Sequence, residues 1–241
     1  MPGIIRVVAS VFALALAGSL APCARAQYFE VLPPTSASVD GGTGNSIPLA
    51  ASFGGAYQVL YEPSQLVGLP IGGRITSIQL RQWNSVTSAW PPAPAVCADY
   101  EIRLGRSTRT PATISTTFAD NMTAAVLVRD GALNSAANAY PGGAASGTAP
   151  EAWGPVIAFT TPYTYTGGPL VIEFRNNGTG VAFSFADAVS PFTAAAGLGS
   201  TGSQTASTGG FAPPLVVRLG VEPPNTQSVT LPNAANTVEG S

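Results

Sequence analysis

The sequence predicts an all-β protein, an antiparallel β-sandwich of jelly-roll type with about eight strands. Short runs with an apolar residue at every second position recur along the 241 residues, which is typical of strands with one buried face. The 27 glycines and 22 prolines supply the turns between these runs. Hydrophobic residues make up 45% of the chain, which is enough for a core between two sheets.

The clearest strand covers residues 74–83. Ile78 and Leu80 alternate on its apolar face, which is expected to pack in the core. The opposite face is expected to meet solvent, and it carries side chains of types that contact ligands: Gln79, Arg81 and Trp83. This face is interpreted either as a binding surface or as a solvated sheet surface.

Seven further runs alternate in the same way and are predicted to be strands. They cover residues 56–61, 99–105, 124–129, 156–160, 170–175, 181–185 and 215–221. In the run at 181–185, Val181, Phe183 and Phe185 are expected to face the core. The Asn-Asn-Gly sequence at 176–178 indicates a hairpin that joins this run to the one before it.

Three long loops are predicted between the strands, one of which, residues 132–154, is rich in glycine, alanine and asparagine. Residues 84–98 contain a Trp-Pro-Pro-Ala-Pro sequence that no regular element accommodates. Trp90 is therefore expected at the aromatic tip of this loop. Residues 190–213 are rich in glycine and threonine and are also predicted to lack strands.

Residues 1–26 are predicted to be a secretory signal peptide. Arg6 supplies the positive charge at its start, a short apolar stretch follows, and an Ala-Arg-Ala cleavage sequence ends at Ala26. Cleavage would leave Gln27 as the first residue and no membrane span. The alternative is a lipoprotein acylated on Cys23, although proline is atypical immediately before an acylated cysteine. The protein is expected to be secreted or to lie on the cell surface.

Residues 27–222 are predicted to form one β-sandwich domain, in which Cys97 is the remaining cysteine. Such a cysteine is either a buried small apolar residue or free to pair between chains. Residues 223–241 are predicted to be a linker and the truncated start of a second repeat. Residues 231–240 repeat the Leu-Pro, Val, acid and Gly of residues 32–41 at matching positions. The alternative is a chance similarity between two turn-rich peptides.

The composition excludes several kinds of site. Histidine is absent, which excludes histidine-based catalytic triads and histidine-ligated metals. A single cysteine after cleavage excludes thiolate zinc sites and iron–sulfur clusters. The net charge is −2 and the basic residues are scattered arginines, which argues against binding of nucleic acid.

Paired carboxylates could hydrolyse glycosides. Asp99 and Glu101 could share a strand face; the alternative is that the acids pair with Arg103 or Arg175 across exposed neighbouring strands. The other acids considered for this chemistry are Asp120, Asp130, Glu151 and Glu173.

Two kinds of binding site remain. Asp120 and Asn121 could supply oxygen ligands to calcium, the one cofactor that the sequence suggests; the alternative is an Asx turn. Exposed tryptophans beside polar side chains are typical of sugar binding, although such rings can instead cover the edges of a sandwich. The candidate ligand-binding residues are Gln79, Arg81, Trp83, Trp90 and Trp153.

Six short motifs resemble, in type and order, those of secreted bacterial β-sandwich domains. They are Leu-Pro-x6-Asp-Gly at 32–41, Tyr-Gln-Val-Leu-Tyr at 57–61, Ile-x2-Ile-x-Leu-Arg at 75–81, Ser-Thr-Thr-Phe-Ala-Asp-Asn at 115–121, Phe-Thr-Thr-Pro-Tyr-x-Tyr at 159–165 and Gly-Pro-Leu-Val-Ile-Glu at 168–173. Such domains of unknown function are found in planctomycete exported proteins and in proteins with a Pro-Glu-Pro (PEP-CTERM) sorting signal. That signal is absent from these residues, so the resemblance implies the fold and export but not anchoring, and it implies no activity.

Together these patterns predict an exported, non-enzymatic β-sandwich module with a structural or adhesive role at the cell surface or in the extracellular matrix. The expected partners are polysaccharide or other cell-surface proteins. The alternative is a carbohydrate-binding module or a glycan-active enzyme.

Overall fold

A computed structural model describes residues 26–49, 52–143, 148–182, 184–190 and 193–225. The predicted repeat at 231–240, and the predicted signal peptide except for Ala26, lie outside these residues. The described strands are β1 (Tyr28–Leu32), β2 (Gly42–Asn45), β3 (Gly55–Tyr61), β4 (Arg74–Gln79), β5 (Ala95–Cys97), β6 (Tyr100–Arg106), β7 (Thr123–Arg129), β8 (Leu133–Ser135), β9 (Ile157–Thr164), β10 (Leu170–Asn176), β11 (Ala186–Val189), β12 (Ala195–Thr201), β13 (Gly210–Ala212) and β14 (Val217–Glu222).

The described helices are single 3-10 turns. They are Pro34–Ser36, Ile47–Leu49, Pro63–Gln65, Pro111–Thr113 and Phe118–Asp120. None of the helices in the described part of the chain is long or apolar enough to span a membrane.

Eight strands form two antiparallel sheets in jelly-roll order. One sheet has the order β1-β14-β4-β9, and the other contains β3-β10-β6-β7 and is extended beyond β3 by β12 and β13. The chain crosses between the sheets after β1, β3, β4, β7, β9 and β13, so most neighbours in a sheet are distant in sequence. Two small sheets, β2-β11 and β5-β8, lie outside the eight-strand core. The predicted all-β sandwich of jelly-roll type is confirmed.

The core lies between the two sheets and uses the alternating side chains that the sequence predicts. Ile75 and Ile78 of β4 are fully buried. They share one hydrophobic cluster with side chains from strands of the other sheet, which include Tyr57, Val59, Tyr61, Ile102, Leu104, Leu170, Ile172 and Phe174. Alternation predicts this set well because the two faces of a strand differ at every residue.

The predicted hairpin at 176–178 is wrong. The neighbours of β10 are β3 and β6, and the next strand, β11, pairs with β2. Asn176 explains the difference, because its Nδ2 donates to the Ile47 carbonyl and its Oδ1 accepts from the Gly178 N–H. The Asn-Gly chemistry thus forms an Asx turn that leads the chain out of the sheet. The strand predicted at 181–185 is also wrong, since strand pairing begins at Ala186; Phe183 lies outside the described residues.

The glycine-rich loop predicted at 190–213 contains the strands β12 and β13. β12 pairs with β3, and two of its glycines allow close packing. A Cβ on Gly197 would lie 2.7 Å from the Tyr57 hydroxyl oxygen, and a Cβ on Gly199 would lie 2.6 Å from Ile47 Cδ1. These glycines allow neighbouring side chains to lie close to the β12 backbone. The sequence alone does not distinguish such glycines from glycines that form turns.

Candidate functional site

The predicted solvent face of the strand at 74–83 is buried. Regular strand pairing ends at Gln79, and Arg81 and Gln82 continue as isolated bridges to Trp153 and Ala186. Gln79 is 5% exposed and Arg81 is 0% exposed. The expectation that these side chains meet solvent is therefore wrong, because other segments of the chain cover them.

Arg81 is the largest fully buried side chain among the described residues. Its Nε and Nη2 lie 2.8 and 2.7 Å from Asp187 Oδ2, and Nη2 also donates to the carbonyls of Ser36 and Val39. Nη1 has no hydrogen-bond partner in the described part of the chain, but the guanidinium carbon lies 4.8 Å from the centre of the Trp153 ring. Contact with a ring partly compensates such an N–H. Arg81 thus acts as a structural cross-link.

Asp187 is the acidic half of this cross-link. Burial raises the pKa of Asp187 to about 7, while the Arg81 guanidinium opposes the rise and the charge of Asp40 adds to it. Its other oxygen, Oδ1, accepts from the Gly41 N–H at 2.9 Å. Both members of the pair therefore hold the segment between β1 and β2.

Trp153 also contacts a second arginine. The guanidinium carbon of Arg218 lies 4.9 Å from the Trp153 ring centre and 4.6 Å from that of Phe29. Arg218 donates to Gln79 Oε1 at 2.7 and 2.9 Å, and burial lowers the pKa of Arg218. Three predicted ligand-binding residues, Gln79, Arg81 and Trp153, do come together, but their polar groups and the Trp153 ring contact the protein itself.

The other two predicted tryptophans lie elsewhere. Trp83 is half-buried and packs edge-on against Phe185, with ring centres 6.1 Å apart. Trp90 is only 6% exposed, packs against Tyr140 and donates from Nε1 to the Ala182 carbonyl at 2.7 Å. The prediction of Trp90 as an exposed aromatic tip is therefore wrong, because its loop folds back onto the core.

The predicted calcium ligands have protein partners. Asn121 is buried, its Oδ1 accepts from the Ser115 N–H at 2.8 Å, and its Nδ2 donates to Gln58 Oε1 and to the Ser115 carbonyl. Asp120 is exposed, and its Oδ2 lies 2.8 Å from Ser115 Oγ and 3.6 Å from Arg109 Nη2. These contacts shape the loop before β7, and calcium binding by the pair stays a prediction.

The candidate site is an open groove of about 670 Å³ on the outer face of the six-stranded sheet. We call it the groove. Its floor consists of outward-facing polar side chains from the adjacent strands β3, β10 and β6: Gln58, Glu101, Arg103, Glu173 and Arg175. Residues 117–119 and Met122 line one side, and residues 204–207 line another. Its volume lies within the usual range of ligand pockets.

Glu173 is the centre of the groove floor. It is only 6% exposed, and its Oε1 accepts from Arg175 Nε at 2.6 Å and lies 3.3 Å from Arg103 Nη1. Gln58 Nε2 donates to Oε2 at 2.5 Å. The expected cross-strand pairing is found for Arg103, which reaches from β6 to Glu173 of β10, whereas Arg175 pairs with Glu173 of its own strand. The face is less exposed than expected.

The two sides of the groove are held to its floor. Phe118 is fully buried and belongs to a small second apolar cluster on the outer face of the sheet. Its backbone carbonyl accepts a hydrogen bond from Gln58 Nε2. Arg175 Nη1 donates to the carbonyls of Gln204 and Ala206 at 2.8 and 3.1 Å. The groove is thus preformed, since each side is tied to the sheet by hydrogen bonds.

Three carboxylates meet at one end of the groove. Single oxygens of Asp99, Glu101 and Asp130 all lie within 4.8 Å of one another. Oxygen ligands of this type suit calcium, so these three residues could hold a metal ion. Glu101 Oε2 is also 2.6 Å from Arg103 Nη2, which already compensates part of the negative charge.

Comparison with known proteins returns no match. No family model, no curated protein and no solved structure matches the chain. The resemblance to planctomycete and PEP-CTERM-type domains therefore stays a prediction.

The sequence shows the charged residues of the groove floor, but it does not predict that other segments enclose them in a groove. The alternation of Glu101 with Arg103 and of Glu173 with Arg175 is visible in the sequence and predicts an exposed, charged strand face. The Ser/Thr-rich segment at residues 110–121 is a signal for the groove, because it is long enough to fold over a neighbouring sheet face. Nothing in the sequence marks Gln58 as a groove residue, because it lies in an otherwise apolar strand.

Proposed function

We propose that this chain is an exported, non-enzymatic jelly-roll module with an adhesive role at the cell surface or in the extracellular matrix, and that it adheres by binding a polysaccharide in the groove. The observation that carries the proposal is a preformed, open groove whose floor is a hydrogen-bonded array of carboxylate, guanidinium and amide groups.

The chemistry of the groove floor fits sugar hydroxyls. Carboxylates accept from hydroxyls, guanidinium groups donate to them, and both groups are planar. Because Glu173 is held by Arg103, Arg175 and Gln58, the array is ordered before a ligand binds, which lowers the entropy cost of binding. No tryptophan is among the described residues that line the groove, so binding relies on hydrogen bonds rather than on ring stacking.

Retention of the protein in native gels that contain soluble polysaccharides tests this proposal. Arg103→Met removes a groove donor that is 30% exposed, and Arg74→Met removes a comparable arginine, 40% exposed, from the other sheet. We expect the wild type and Arg74→Met to be retarded equally and Arg103→Met to bind at least about tenfold more weakly. Equal retardation of all three proteins, or of none, would contradict the proposal.

The export part of the proposal is supported by the sequence of residues 1–26. Expression of the full chain in a bacterial host, followed by mass spectrometry of the protein outside the cytoplasm, tests it. We expect Gln27 as the first residue. An uncleaved chain that stays in the cytoplasm would contradict export but would leave the proposed binding of polysaccharide in the groove unaffected.

Glycoside hydrolysis is the second candidate, because the carboxylates of Asp99, Glu101 and Glu173 line one groove. Hydrolysis needs two carboxyl groups about 5–10 Å apart, one of them free to protonate the leaving oxygen. Both oxygens of Glu173 already accept hydrogen bonds, which favours binding over hydrolysis. Release of reducing ends by the wild type, lost in Glu173→Gln, would replace the adhesive proposal with an enzymatic one.

A further inference from the structure

The two arginines of the groove are directed at acceptors of the protein itself. Arg103 Nη2 lies 2.6 Å from Glu101, and its Nη1 lies 3.3 Å from Glu173. Arg175 uses Nε for Glu173 and Nη1 for two carbonyls of the segment that lines the groove. A guanidinium binds a carboxylate or sulfate best through two parallel N–H groups. In both arginines, some of the N–H groups that would form such a pair already contact acceptors of the protein.

The charge of the groove is negative on balance. Three acidic side chains, Asp99, Glu101 and Glu173, and two basic ones, Arg103 and Arg175, are among the residues that line it. Asp130 adds a further carboxylate beside Asp99 and Glu101. An anionic group on a ligand would meet this field and would compete with an internal carboxylate for each guanidinium.

Uncharged sugars are not repelled by the negative charge of the groove, and they do not compete with the internal carboxylates for the guanidinium groups. Each carboxylate offers about four acceptor sites, of which the internal contacts of Glu101 with Arg103 use only part. Hydroxyl groups can donate to the remaining sites without disturbing the ion pairs. We infer that the groove selects a polysaccharide of uncharged sugars and rejects polymers that carry carboxylate or sulfate groups, with Glu101 as a specificity-determining residue. This inference rests on the proposed function.

Paired polymers test the inference. Dextran, xylan, glucomannan and hydroxyethyl cellulose, each beside its carboxymethylated derivative, are set in native gels at low ionic strength. For the polymers that retard the wild type, we expect binding to the carboxymethylated form to be about tenfold weaker. The difference should shrink at about 1 M salt, where the Debye length falls to about 3 Å.

Glu101→Gln tests the residue assignment. This change removes one negative charge and releases one side of Arg103, so binding to the carboxymethylated polymers should rise several-fold. Glu62→Gln, which changes the net charge equally at a residue that does not line the groove, should leave the ratio between paired polymers unchanged. A thermal unfolding curve for each variant confirms that both are folded.

The outcomes distinguish failure of the inference from failure of the proposed function. Stronger binding of the wild type to the carboxymethylated polymers, abolished by Arg103→Met, would overturn the inference and leave the groove as the binding site. Equal effects of Glu101→Gln and Glu62→Gln would also overturn it. Retardation by none of the polymers would remove the proposed function and the inference with it.

Discussion

The guanidinium of Arg81 and the carboxylate of Asp187 form a fully buried ion pair, with Nη2 and Oδ2 2.7 Å apart, although 106 residues separate them in sequence. Arg81 follows β4, and Asp187 lies in β11. Both also hold the segment between β1 and β2, through the carbonyls of Ser36 and Val39 and the N–H of Gly41. The pair thus joins three distant parts of the chain at the four-stranded sheet, away from the groove.

Arg81→Met should destabilise the fold strongly. The change leaves the Asp187 carboxylate and two carbonyls without their buried donor, and loss of one partner of a buried pair costs about 3–5 kcal/mol. The free energy of unfolding in urea measures the effect. Arg74→Met is the matched control, because the side chains of the Arg74–Glu222 pair are 40% and 25% exposed and solvent-accessible pairs contribute about 0–1 kcal/mol. Equal losses in both variants would contradict the structural role of Arg81.

Stability should rise as the pH is lowered from 8 to about 5. Burial raises the pKa of Asp187 to about 7 and also raises the pKa of Glu30 and, with the charge of Asp40, that of Glu151. A raised pKa means that the folded chain binds the proton more tightly than the unfolded chain. The stabilisation is therefore complete below the unfolded pKa, 3.8 for Asp187, and is lost as the pH rises through the folded value of about 7.

Urea midpoints at pH 5, 6, 7 and 8 measure this dependence. Asp187→Asn removes the titrating group, so its midpoints should change less with pH than those of the wild type. A wild-type midpoint that is highest at pH 8, or a slope that Asp187→Asn leaves unaltered, would show that another group governs the pH dependence.

Tyr57→Phe should cost about 1–3 kcal/mol, although it removes a single oxygen atom. The Tyr57 hydroxyl donates to the Pro213 carbonyl at 2.8 Å and accepts from the Leu215 N–H at 3.1 Å, so its loss leaves the buried Leu215 N–H and the partly buried Pro213 carbonyl without this partner. Tyr28→Phe is the control: its hydroxyl also donates to a carbonyl, that of Gly68, but the residue is half-exposed and water can replace the contact. Thermal unfolding should show a clearly larger loss for Tyr57→Phe.

Gly54→Ala should destabilise more than Gly131→Ala. Both glycines have positive φ, +71° and +86°, so alanine pays the same backbone cost of about 1–2 kcal/mol at each. A Cβ on Gly54 would lie 2.5 Å from the Asn176 carbonyl oxygen, whereas nothing lies within 4 Å of one on Gly131. Steric overlap should add about 1–3 kcal/mol at Gly54 only. Similar unfolding free energies for the two variants would contradict this.

The alternation of apolar residues predicts the core strands because it is a local property. Tyr57, Val59 and Tyr61 of β3 and Leu170, Ile172 and Phe174 of β10 are buried as their spacing predicts. The strands that escaped prediction, such as β12, owe their existence to a neighbour: its glycines pack against Tyr57 and Ile47, which lie far away in sequence. Local patterns carry no signal for such contacts.

The candidate site shows the same division. The sequence by itself determined which side chains leave the core face of each strand, because a strand turns alternate residues to opposite sides. Only the tertiary structure decided what happens to them there. A loop covers Arg81 and makes it part of the interior, while Glu101 and Arg103 remain half-open at the floor of a groove. The reason is physical: covering a sheet face depends on contacts between segments that are distant in sequence, such as residues 204–207 and Gln58 of the groove.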